Sequence, residues 1–117
     1  MALIEFVQTD TPDGVHLYGA LQRPDSSSTT YGLDAVIFHH SGNGNFYTGS
    51  FFDYWQTKLV ERGCSVLRVN NRGHDVIASP ATAAPGGARE ILLPDCLSDL
   101  RAWNDFAEAL GFHRILR

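Results

Sequence analysis

The stretch that decides the fold is Ala35-Val36-Ile37-Phe38-His39-His40-Ser41-Gly42-Asn43-Gly44-Asn45. It opens with a continuous apolar run of strand length. A run that is apolar on both faces suits a central strand of a parallel sheet, covered by helices on either side. The run stops at a glycine-rich polar loop, and a helix should follow. Ser50 with Asp53 three positions later has the form of a capping box, in which each side chain satisfies a free backbone N–H of the other residue. Phe51, Phe52, Trp55, Leu59 and Val60 recur at helical spacing, and Gly63 is placed to end the helix. Ser65 to Asn70 (Ser-Val-Leu-Arg-Val-Asn) then reads as the next strand. Strand, glycine-rich loop, helix and strand form a βαβ unit whose two strands run parallel.

Upstream, Leu3 to Gln8 alternates and is rich in Ile, Phe and Val, as a strand requires. Thr11-Pro12-Asp13-Gly14 is a turn: proline presets φ, and glycine tolerates the left-handed exit. Val15 to Leu21 places Val15, Leu17 and Leu21 on one face, so the two segments form an antiparallel hairpin. Residues 24–33 are a polar loop. Downstream, residues 75–94 are rich in Ala, Pro and Gly, and a loop of that length is usually functional or mobile. Asp95 is placed to cap a second helix, with Leu97, Leu100, Trp103, Phe106, Ala107 and Leu110 as its apolar stripe and Gly111 as its stop. Phe112 to Arg117 looks like the entry to a further strand. The fold class is α/β, an antiparallel hairpin followed by a βαβ unit, in a single domain over 1–117.

The 117 residues are 44% hydrophobic and 19% charged, which suits a globular chain with a core and excludes disorder throughout. The formal charge is −4 and no basic run occurs, so no nucleic-acid surface is expected. The apolar runs are far short of a membrane span, and Met1 to Asp10 lacks the pattern of a signal peptide. The two cysteines, Cys64 and Cys96, have no metal-site spacing and read as buried, inert thiols. A cytoplasmic location is the expectation.

The chemistry should lie in the loops beyond the carboxyl ends of the parallel strands, where open α/β sheets bind ligands. In His39 to Asn45, small residues let a backbone approach a ligand and aim N–H groups at developing negative charge, as an oxyanion hole requires. A tight strand-to-helix turn with glycines for steric reasons fits the same residues, and both readings stay open. Gly44 and Gly49 have the spacing of a phosphate loop, but the lysine that should follow Gly49 is absent. Gly42 and Gly44 begin a dinucleotide fingerprint, but its third glycine falls at Tyr47. His39 and His40, adjacent at a strand end, should point to opposite sides and cannot easily share a metal. His74-Asp75 could approach one of them, yet no third ligand is specified; no metal or other cofactor is expected. Arg72 reads as the brace of a turn that Gly73 bends, and Trp55 and Trp103 as core residues.

The chain resembles the N-terminal portion of the α/β-hydrolase superfamily, serine hydrolase type. The order matches: hairpin, apolar strand ending in a His-Gly-type loop, helix, "NNRGHD" strand end and a further helix. The local likenesses are His40-Ser41-Gly42, Asn45-Phe46-Tyr47 and Asn70 to Asp75. The resemblance implies an incomplete α/β-hydrolase fold that ends before the nucleophile elbow. It implies an oxyanion-hole region at His40, Ser41 and Gly42, with the backbone N–H of Gly42 as donor. Ser41 stands where the family has glycine. Asn43, Asn45, Tyr47 and His74 would then line the substrate site.

The family's Gly-x-Ser-x-Gly elbow, with its strained, exposed serine, does not occur in these residues. No serine, acid or histidine here can be carried over as a triad member, so the chain alone should have no serine-hydrolase turnover. Completed, it would cleave a small ester-like substrate (ester, thioester, lactone or amide) through an acyl-enzyme. The apolar third strand would have only a stub as one neighbour, and an unpaired edge invites self-association or a partner chain. Two other readings fit the same residues: a non-catalytic α/β binding or interaction module, and a small nucleotide- or flavin-binding protein using His39 to Asn45 as an anion loop.

Overall fold

The computed structural model describes residues 3–25, 32–40, 46–47, 49–72 and 93–117. They form a mixed five-stranded sheet and two helices, a small α/β arrangement. In chain order these are β1 (Ile4–Asp10), β2 (His16–Gln22), β3 (Ala35–His39), α1 (Ser50–Glu61), β4 (Ser65–Val69), α2 (Leu93–Ala109) and β5 (Ile115–Leu116). The spatial order is β1-β2-β4-β3-β5.

The hairpin forms as its sequence dictates. β1 and β2 pair antiparallel without interruption from Ile4↔Gln22 to Asp10↔His16. Gly14 takes φ +86°, the backbone region that disfavours a side chain, and its N–H donates to the Thr11 carbonyl at 3.0 Å. The hairpin docks antiparallel on β4 rather than on β3, its neighbour in sequence. β3 and β4 are parallel, in the register Ala35↔Ser65 to His39↔Val69. β5 joins the other side of β3, pairing with Ala35 and Val36.

Alternation along the central strands divides the interior into two layers. Leu17, Leu21, Ile37, Leu67 and Val69 meet Ala102, Trp103 and Ala107 of α2 in the main core. The opposite face carries Phe38, Arg68 and Gln22 toward α1. There Phe38 meets Phe52, Arg68 pairs with Asp53 at 2.6 Å, and Gln56 donates to Gln22. All of β4 is buried, as expected for a strand covered on both faces.

Several expectations about the helices are corrected. α1 begins after Gly49 with no side-chain cap, so Ser50 and Asp53 do not form a capping box. Asp53 instead reaches Arg68, whose side chain is almost wholly enclosed, and that partner outcompetes a solvent-facing cap. Phe52, Gln56, Leu59 and Val60 point toward the sheet. At 100° per residue this turns Phe51 and Trp55 to the flank, and Trp55 is 44% exposed rather than a core residue. α2 begins at Leu93, so Asp95 lies within its first turn instead of capping it. A proline is tolerated there, because first-turn N–H groups have no partner within the helix. The buried stripe of α2 is Asp99, Ala102, Trp103 and Ala107, with Phe106 beside it. Leu97, Leu100 and Leu110 are exposed. Both helices stop at the expected glycines, with Gly63 at φ +87° and Gly111 at φ +97°. Cys64 is buried as expected, whereas Cys96 is only partly so. None of the described helices is long and apolar enough to cross a membrane.

Candidate functional site

The carboxyl ends of β3 and β4 lie side by side, because His39 is in register with Val69. The next residues of each strand therefore meet. The Asn71 backbone N–H donates to His40 Nε2 at 2.9 Å. Nε2 is thus an acceptor, which places the neutral ring's proton on Nδ1. His39 Nδ1 lies 3.3 Å from Nδ2 of Asn71, so both neighbouring histidines engage one asparagine. Burial pushes the His39 pKa below the ordinary histidine value, against a smaller upward pull from Asn71.

Asn70 organises the other side. Its Oδ1 accepts the Phe46 backbone N–H at 2.9 Å, and its carbonyl accepts the Trp103 indole N–H at 2.8 Å. Its own N–H donates to the Tyr18 carbonyl of β2 at 2.8 Å. One residue thereby connects the hairpin, α2 and the segment that leads into α1. Phe46 continues into an aromatic wall: it lies 6.3 Å from Phe6, which stacks on Tyr18 at 5.6 Å, and Tyr47 meets Phe46 edge-on at 5.4 Å.

Arg72 fixes the strand end from below. Its backbone N–H donates to Asp99 Oδ2 at 2.7 Å and its Nε to Asp99 Oδ1 at 2.9 Å. Its two terminal nitrogens hold Asp13 at 2.8 and 3.0 Å in a bidentate fork. The fork, helped by the Thr11 hydroxyl, lowers the Asp13 carboxyl from 3.8 to about 2. The expected brace is present, and it ties the hairpin turn to α2. A buried charge is tolerable here because it is paired and its hydrogen bonds are filled.

Of the seven residues anticipated at the site, the described residues include His40 and Tyr47. His40 is clasped to β4, and Tyr47 is 58% exposed beside Phe46. Ser41, Gly42, Asn43, Asn45 and His74 lie outside the described residues, as do Gly44, Gly73 and Asp75. Sequence reasoning placed Asp13 in the hairpin turn and Asn70 at a strand end without giving either a contact, and passed over Asp99. The available signal was Asp99, a carboxylate four positions before Trp103 on the same helix face. Among the described residues no group of three or more His, Cys, Asp or Glu side chains is placed to hold a metal.

A broad cleft of about 730 Å³ lies at the opposite end of the parallel strands, bordered by Arg23, Asp34, Ser65, Phe112 and Arg114. Its charged groups already satisfy one another: Arg114 pairs with Asp34 at 2.7 Å and Arg23 with Glu5 at 3.0 Å. The carboxyl-end cluster remains the stronger candidate, since it joins two parallel strands at the end where α/β sheets bind ligands. No protein-family model matches the chain, and a search of curated proteins finds no match.

Proposed function

We propose that the chain forms the N-terminal part of a serine hydrolase of the α/β-hydrolase type, acting on ester-like substrates through an acyl-enzyme. One observation carries the reading. The segment His39 to Asn45 is anchored on both flanks to the end of the next parallel strand, through His40 to Asn71 and Phe46 to Asn70. A loop that must offer backbone N–H groups to an oxyanion needs fixed ends, because its contribution comes from dipoles oriented before the reaction begins.

On this reading Gly42 supplies an N–H to the oxyanion, His40 and Ser41 shape that turn, and Asn43, Asn45, Tyr47 and His74 border the substrate. His40 acts as a clasp, not as a base, since its Nε2 lone pair is already occupied by the Asn71 N–H. The likeness to the family also extends to the element order: hairpin, strand, helix, parallel strand, helix and strand. The acyl-enzyme step needs a serine and a base, and these residues contain no Gly-x-Ser-x-Gly elbow. The chain therefore contributes the oxyanion side of the reaction and no turnover by itself.

The test is fluorophosphonate labelling of the native gene product in parallel with the 117-residue chain. The expected result is one labelled serine, within a Gly-x-Ser-x-Gly peptide of the native product, and none in the 117-residue chain. Stoichiometric labelling of that chain, or a native product that takes no label, overturns the proposal. Mononucleotide binding by an unlabelled native product would point instead to an anion-binding loop.

A further inference from the structure

Among the described residues the sheet has two edges, β1 and β5. β5 pairs with Ala35 and Val36 of β3 over two residues. β1 is seven residues long, in unbroken register with β2. Its sequence, Ile-Glu-Phe-Val-Gln-Thr-Asp, contains no proline, lysine or arginine, and no bulge interrupts it. Those are the devices that usually keep an edge from pairing. Ile4 and Phe6 are 55% and 68% exposed, and Leu3 just before them is 84% exposed.

The hydrogen-bond parity of the hairpin shows which backbone groups face outward. The Tyr18 carbonyl accepts from Asn70, so Tyr18 is turned toward β4. In an antiparallel ladder a residue exchanges both bonds with one neighbouring strand. Gln8, opposite Tyr18, therefore exchanges no backbone bond with it, and the backbone groups of Ile4, Phe6 and Asp10, which share its parity, likewise turn away from β2. The Thr11 N–H, which donates to the Val15 carbonyl, has the opposite parity, as required. The outward N–H and C=O groups thus belong to the same residues whose side chains include the exposed Ile4 and Phe6.

We propose that β1 is a self-association edge, where two copies pair antiparallel about a two-fold axis centred on Phe6 and join two five-stranded sheets into one. The register is self-complementary. Phe6 meets Phe6 of the partner subunit, and Ile4 meets Gln8 of the partner subunit, so outward-bonding residues face one another throughout. On the other face Glu5 meets Val7 of the partner subunit, and Leu3 meets Thr9 of the partner subunit, so no like charges oppose. Phe6 already stacks on Tyr18 at 5.6 Å, and the pairing extends this into an aromatic ribbon of four rings across the axis. A second copy fits because one edge supplies both sides of the pairing: every outward-bonding residue meets an outward-bonding residue, no like charges oppose, and Phe6 meets its own equivalent at the axis. The inference stands independently of the hydrolase reading.

The test is analytical ultracentrifugation of the full chain over a dilution series, with amide hydrogen exchange at high and low concentration. The expected mass is twice 12.9 kDa when concentrated, falling to one chain on dilution. The amides of Phe6 and Gln8 should be protected only in the dimer, whereas those of Val7 and Thr9 are protected in both states. Gln8→Pro removes an N–H that the hairpin does not use, so it should abolish the dimer with the fold retained. Phe6→Lys should do the same by placing like charges at the axis, and Leu116→Lys on the opposite edge should leave the dimer intact. A wild-type chain that is monomeric at every concentration overturns the proposal. So does a dimer that survives both β1 substitutions, or concentration-independent exchange at Phe6 and Gln8.

Discussion

Arg72 and Asp99 are joined twice: the carboxylate of Asp99 accepts both the backbone N–H of Arg72 and its side-chain Nε, at 2.7 and 2.9 Å. Asp99 is fully buried on the inward face of α2. One group therefore sets the path of the chain leaving β4 and the rotation of the helix beneath it. Asp99→Ala leaves a buried guanidinium with only Asp13 and frees a backbone donor. It should cost about 3–5 kcal/mol, the range for removing one member of a buried pair. Urea unfolding of the variant beside the wild type measures this directly.

The same guanidinium governs acid stability through Asp13. Its carboxyl is lowered from 3.8 to about 2, mainly by the Arg72 fork and then by the Thr11 hydroxyl. A carboxyl whose folded pKa is depressed stabilises the fold above its ordinary value, and that contribution is lost as the pH falls toward the depressed one. Stability should therefore decline between about pH 4 and pH 2, and Asp13→Asn should be less stable at neutral pH and flatter across that window. Asp34, lowered by the Arg114 and His113 contacts, adds a decline at the acid end of the range. Thermal melts at stepped pH, with the Asp13 carboxyl followed by NMR, distinguish the two.

Gly19 marks a close approach of β2 to the strand and helix beside it. A Cβ built there stands 2.7 Å from the Arg68 carbonyl oxygen and 3.3 Å from Cη2 of Trp103. The first neighbour is backbone and the second a fully buried ring, so neither yields easily. Gly19→Ala should destabilise by about 1–3 kcal/mol, the usual range for overpacking. It should also shift Trp103 fluorescence, since the indole N–H bond to Asn70 depends on ring position.

His40 should be observable as the Nδ1–H tautomer, because the Asn71 N–H occupies Nε2. Nitrogen-detected NMR of the imidazole reads this tautomer. A spectrum showing Nε2–H would remove the clasp and, with it, one of the two anchors on which the functional proposal rests. His40→Ala should release the Asn71 amide to exchange while leaving the Trp103 indole protected.

The absent capping box makes a contrasting pair. Ser50→Ala should change stability by no more than about 0.5 kcal/mol, as for an ordinary surface substitution. Asp53→Ala should be the more damaging of the two, because it withdraws a partner from the enclosed Arg68. Equal effects in denaturant titrations would contradict this assignment.

Much of the local structure was legible because its causes are local. Alternation, a Pro-Asp-Gly turn and two glycine stops placed β1, β2, β3, β4 and both helix ends to within a residue or two. The helix faces were less legible. Leu97 and Leu100 form an apolar pattern as good as the real stripe, and what turns α2 is the bond from Asp99 to Arg72, twenty-seven positions earlier. Likewise Asp53 is drawn from a cap toward Arg68, a partner in another element. Docking of the hairpin on β4 rather than β3 is a nonlocal choice with no short-range signal. At the site, Arg72 was recognisable as a brace from its own chemistry, but Asn70 carries no mark of its three connections until the strands are aligned.

The place of β4 between β2 and β3 sets an order of events during synthesis. The hairpin is synthesised first, yet the core around Leu17 and Leu21 is not closed until Leu67, Val69 and Trp103 have also emerged. For that interval a nascent chain displays an apolar β face with two open edges. The hairpin, though the simplest part of the finished fold to read, thus keeps its core face incomplete until α2 has been made.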